Sequence, residues 1–168
     1  MSLGAAIADL HGAEVGLARD LEAAAERHAL DADMLHHARA LAGLARVRAG
    51  LLVPHAERYG VTVGSTSPGP VAAAADAVRH AAAQVLGHHE PAGAMLLHDL
   101  RELHAQAGRV ELSWWVVRQG AMVHRDTELA DLFTVHHETA WNTLGWLKTK
   151  VKEAAPQVLS VGPDAVAS

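Results

Sequence analysis

Thirteen histidines in a chain without cysteine are the first residues to ask chemistry of. Imidazole is a common metal ligand and titrates near about pH 6.5. Protonating all thirteen would carry the formal charge from −5 to +8. The missing thiols rule out disulfides, thiolate metal sites and a cysteine nucleophile. A di-iron bundle needs Glu-x-x-His on two helices, because a three-residue step sets both ligands on one face. No Glu-x-x-His occurs here, and the His-Glu-x-x-His of zincin proteases is also missing. His11 with Glu14, His98 with Glu102, and His124 with Glu128 stand three or four residues apart, which reads as helix-surface pairing. His88-His89-Glu90 is a further cluster where exposed ligands could gather metal.

These residues need elements to hold them, and the composition supplies helices. Alanine, the best helix former, dominates, and there is only one Tyr and one Phe. The apolar positions Leu3, Ile7, Leu10, Leu17 and Leu21 step by four and three, with Glu14 in the one missing seam position. This predicts a first helix over about 3–28. Asp31 or Asp33 can cap a second, about 33–59, with Met34, Ala38, Leu41, Ala45, Leu52 and Tyr59 on its stripe. Arg48 and His55 share that stripe, and Pro54 should bend the helix or loosen its last turns. Residues 60–70 are a Gly-, Ser- and Pro-rich loop, followed by a short helix over about 71–87.

Leu96, Leu100, Leu103, Ala107, Val110, Trp114, Val117 and Ala121 predict a long helix over about 92–123. Trp114 and Trp115 cannot both face one core. A tight turn at Arg125 and Asp126 leads to a last helix, about 127–154, with Leu129, Phe133, His136, Ala140, Leu144, Leu147 and Val151 inward. His136 reads as a hydrogen-bonded core histidine whose burial lowers its pKa. Pro156 should close that helix and leave 157–168 as a tail. The result is a single all-α domain over 1–156, an antiparallel four-helix bundle. Its two hairpins are joined by a long crossover containing a short helix, the ferritin-like connection.

Arg125-Asp126-Thr127-Glu128-Leu129-Ala130-Asp131-Leu132-Phe133-Thr134, with His137-Glu138 and Trp141 beyond, resembles the last helix of the starved-cell DNA-binding miniferritins. Ala56-Glu57-Arg58 before Gly60 is similar to that family's Ala-Glu-Arg segment. The resemblance spans most of the chain. It implies a shell-forming homo-oligomer that oxidises and stores iron at a site completed across a two-fold subunit interface. By that resemblance Glu57 matches the family's Glu ligand, His37 or His36 its second His, and His28 stands near its first. His28, His37 and Glu57 are therefore the candidate metal ligands, with iron the implied cofactor. The chain departs from the pattern at Val53, where the family has Asp, and at Ala29, where it has Trp.

Facing positions supply another expectation. If the first hairpin turns around 29–32, Glu14 lies opposite Val47 and Arg48, which predicts an ion pair at the level where a ferritin holds metal. Three readings follow. One is a miniferritin-type bundle with an altered iron site. The second is a non-enzymatic stress or interaction protein that has replaced metal by an ion pair. The third is a metal-dependent four-helix-bundle hydrolase using histidines such as His55 and His136.

The charge of −5 argues against nucleic acid. Lys148, Lys150 and Lys152 read as a solvated complement to a helix dipole. No apolar run approaches the roughly 18–20 residues of a membrane span. The first residues, Met1-Ser2-Leu3-Gly4, lack the basic start of a signal peptide, so a cytoplasmic location is expected.

Overall fold

The computed structural model describes residues 1–64 and 92–160. They form four helices, α1 (Leu3–Arg27), α2 (Ala32–Arg58), α3 (Ala92–His124) and α4 (Thr127–Ser160), and no strand among the described residues. The architecture is an all-α bundle. The expected crossover helix at 71–87 and the His88-His89-Glu90 cluster lie outside the described residues.

Local chemistry fixes each end. Ser2 caps α1 by accepting from the Ala5 amide at 3.2 Å. Asp31 Oδ1 caps α2 by accepting from the Asp33 and Met34 amides at 3.0 and 3.1 Å. After α2 the chain turns through Gly60 at φ 75°, where the Gly60 amide donates to Glu57 O and the Val61 amide to Ala56 O. That pairing is a Schellman ending, which favours glycine because it needs a left-handed residue. Arg125 takes the same role after α3 at φ 55°, and Asp126 then caps α4 through the Leu129 amide.

Cross-helix pairs give the directions. Arg27 and His28 meet Asp99, Glu14 meets Trp114, and Arg109 meets Asp9, so α1 and α3 run antiparallel. Lys150 meets Asp31 while Arg58 meets Asp126, so α2 and α4 do too. The order is therefore up, down, down, up. The end of α2 and the start of α3 lie at opposite ends of the bundle. α1 packs closely on α2 and on α3, and α3 on α4, whereas α2 and α4 touch only sparingly.

The core follows the predicted seams along α1, α2 and most of α3, with Ile7, Leu10, Leu21, Met34, Leu52, Leu100 and Val117 fully buried. Trp114 is buried and Trp115 stands at the surface. α4 departs from expectation. Thr143 and Lys150 are buried, while Leu144 and Val151 are only partly so. The seam keeps its four-three alternation through 136, 140, 143, 147, 150 and 154, and backbone geometry overrides the apolar preference. Thr143 satisfies its hydroxyl on the Thr139 carbonyl. Lys150 satisfies its ammonium on Asp31 and Asp33, each at 3.2 Å. It is thus an interhelical tie and not part of a solvated basic face.

Neither proline ends its helix. α2 continues through Pro54 to Arg58, and α4 through Pro156 to Ser160. The expected end of α4 at 154 is corrected accordingly. Each proline leaves one carbonyl a turn earlier without its helical donor, which near a helix end is a tolerable loss.

Candidate functional site

Four helices each contribute one polar or aromatic residue to a single layer across the middle of the bundle. α1 supplies Glu14, α2 Arg48, α3 Trp114 and α4 His136. Arg48 Nε donates to Glu14 Oε1 at 2.6 Å and Nη2 to Oε2 at 2.9 Å, a bidentate pair. Trp114 Nε1 donates to Glu14 Oε1 at 2.8 Å. Glu14 and Trp114 are 0 % exposed and Arg48 is 2 % exposed. The ion pair expected from facing positions is present. Burying a carboxylate is costly unless it is paired and hydrogen-bonded, and here three donors converge on it.

The remaining guanidinium nitrogen has no such partner. Arg48 Nη1 is buried and makes no hydrogen bond among the described residues. His136 lies opposite, its ring 6.3 Å from that of Trp114 and tilted by 32°. Burial lowers the His136 pKa, and the positive charge of Arg48 lowers it further. The expectation of a hydrogen-bonded core histidine is corrected. His136 is half-buried at the edge of the seam and has a ring contact but no hydrogen bond among the described residues.

His11 is also more enclosed than expected. It is buried, and burial lowers its pKa. Its presumed partner Glu14 is turned away to Arg48 and Trp114, so the two do not form a surface pair. His98 and Glu102 are exposed. Glu128 is held by Arg58 at 2.8 Å, and His124 lies edge-on to Tyr59.

The candidate ligands taken from the resemblance fall in different places. His28, the C-cap of α1, lies 2.8 Å from Asp99 Oδ2, which also accepts from Arg27. His37 is exposed, stacks on Trp146 at 5.0 Å and lies 3.8 Å from Asp33. Glu57 is exposed near the other end of α2. With about 1.5 Å of rise per residue, His37 and Glu57 are roughly 30 Å apart along one helix. A single chain therefore does not bring His28 and His37 together with Glu57. Among the described residues no group of three or more His, Asp or Glu could hold a metal ion. His55 accepts from Arg58 at its Nδ1 (2.8 Å), so it points to the Arg58–Asp126 cluster at the bundle end.

Sequence reasoning placed Glu14 and Arg48 together but missed Trp114 as the third member. The signal was present, because a core indole needs an acceptor for its N–H and Glu14 is the only acidic residue on the α1 seam. No protein-family model, curated protein or solved structure matches the chain.

Proposed function

We propose that this chain is a non-enzymatic, homo-oligomeric binding or interaction protein of ferritin-like kind, in which a neutral polar layer stands where such a bundle would hold metal. The observation that carries this reading is the buried Glu14–Arg48 pair. A guanidinium at that level repels a cation and occupies the carboxylate that would ligate it. The up-down-down-up order supports the ferritin-like part, because it calls for one long connection between hairpins.

Self-association is supported by the outer side of α3. Leu112, Val116 and Val123 share the face opposite its core seam, and Leu112 and Val123 are 63 % and 81 % exposed. Gln119 interrupts that row, and the proposed self-association uses the Leu112–Val116 end, where two apolar side chains stand one turn apart. No described helix is long and apolar enough to cross a membrane, and the proposed setting is the cytoplasm.

The test is metal content and molecular mass on one purified sample after anaerobic incubation with ferrous iron. A small oligomer with less than one metal per chain is the expected result. A large shell holding many irons per chain would overturn it. The search would then turn to ligands shared between subunits around His37 and Glu57.

A further inference from the structure

We propose that Arg48 Nη1 and the His136 imidazole form a binding site for a small monocarboxylate at the centre of the bundle. Arg48 is 2 % exposed, and its Nη1 is the one buried side-chain polar atom left without a hydrogen bond among the described residues. Leaving a buried donor unmade is costly, so native structures rarely do it without a partner. The same guanidinium is fixed in position by its bidentate grip on Glu14, so Nη1 is a preorganised donor. His136 faces it from α4, its ring nitrogens also unpaired among the described residues.

Two helices that otherwise barely touch thus present the two unsatisfied groups. One turn to either side stand the buried apolar residues Ala45 and Leu52 on α2 and Ala140 on α4. These are the apolar neighbours that the short aliphatic tail of a monocarboxylate would meet there.

Charge decides the class. The groups facing His136 are Arg48 from α2, Glu14 behind it from α1, and the uncharged Trp114 from α3. Glu14 and Arg48 cancel. A carboxylate accepting from Nη1 adds one negative charge, and one proton taken up by His136 neutralises it. A phosphate dianion would leave a surplus buried charge, and a cation would meet Arg48. Binding is therefore coupled to the uptake of at most one proton, so affinity rises by no more than about tenfold per pH unit as pH falls.

This inference rests on the reading that the layer holds no metal, and the test separates the two. Metal-free full-length protein is titrated with sodium acetate, and separately with sodium chloride at equal ionic strength, at pH 7.5 and 6.0. NMR follows the His136 ring and the Trp114 indole N–H. Acetate should shift both saturably, several-fold more tightly at pH 6.0, and chloride should not. His136→Gln should abolish the pH dependence, and the double variant Glu14→Leu/Arg48→Leu should abolish binding.

No saturable shift, an equal response to chloride (an adventitious ion only), or binding that survives in the double variant would each overturn the site. If the double variant does not fold, His136→Gln decides alone, since unchanged pH dependence in it refutes the proton coupling. Metal found on the layer in the same preparation would instead overturn the functional reading.

Discussion

The ammonium of Lys150 lies 3.2 Å from Asp31 Oδ2, while Oδ1 of the same carboxylate caps α2. One side chain thus starts a helix and ties the last helix to it. Asp31→Ala should cost about 1–2 kcal/mol, in the range of lost N-caps. Lys150→Met keeps the cap and should cost less than Asp31→Ala, because Asp31 and Asp33, at 34 % and 53 % side-chain exposure, can turn to water when the buried ammonium is gone. Urea unfolding of both variants checks the order, and equal losses would mean that the cap contributes nothing.

The pH dependence of Asp31 has a definite sign. Burial pushes its carboxyl up, but the Met34 amide, the Lys150 ammonium and the Asp33 amide outweigh that and leave it below its usual value. Its contribution is full above the unfolded value near about 3.8 and is lost as pH falls through the folded value. In Asp31→Asn the acid limb of the stability curve should be shallower, as read from unfolding midpoints between pH 5 and 2.5.

His11 and His136 act in a different window. Burial lowers both, with Arg48 adding to the effect on His136. The unfolded chain then binds more protons than the folded one just below about pH 6.5. Stability is therefore full above that pH and declines as pH falls toward the folded values. The double variant His11→Gln/His136→Gln should flatten the unfolding free energy between pH 7.5 and 5.5. A slope unchanged from that of the parent would place the protons elsewhere.

Breaking the central pair should be worse than replacing it. Arg48→Ala leaves a buried carboxylate with only Trp114 as partner and should cost about 3–5 kcal/mol. Glu14→Leu/Arg48→Leu removes both charges and should cost less, about 1–3 kcal/mol, because its main loss is the acceptor of the buried Trp114 N–H. Thermal melts of the two variants are the check, and a double variant as weak as the single one would show that the pair stabilises the fold outright.

Gly4 marks a close approach between α1 and the segment after α2. A Cβ there would lie 2.8 Å from the Tyr59 carbonyl oxygen and 2.9 Å from Val61 Cγ2. The carbonyl belongs to the backbone and cannot swing aside, so Gly4→Ala should destabilise by about 1–3 kcal/mol despite its better helix propensity. Gly12→Ala, with nothing within 4 Å, should stabilise instead. Circular dichroism melts of the pair decide it.

The four described helices, and the buried seams of α1, α2 and most of α3, were legible because periodicity and capping are local. Leu3 through Leu21 needed no tertiary information, nor did a cap at Asp31 or Asp33, of which Asp31 fills the place. The Glu14–Arg48 contact was legible because a short hairpin fixes which positions face each other. Lys150 was not, because its burial depends on acids that arrive from the start of α2. Pro156 misled because a proline near a helix end costs only one hydrogen bond, while Ala154 still packs inward. His136 could be placed on the seam, but its missing hydrogen bond depends on how far α4 stands from α2.

The sparse seam between α2 and α4 makes the molecule resemble a book, with α1 and α3 as its spine and an ionic clasp at each end of the fore-edge. The clasps are unequal. At one end an enclosed Lys150, at 11 % side-chain exposure, meets Asp31 and Asp33 at 34 % and 53 %; at the other Arg58, at 44 %, meets Asp126 at 8 % and Glu128 at 73 %. Exposed charges are screened over about 8 Å at physiological ionic strength, and enclosed ones much less. Salt therefore unfastens the Arg58–Glu128 arm first, while Asp126, gripped by Arg58 and by the uncharged Tyr59 hydroxyl, keeps that corner of the page shut.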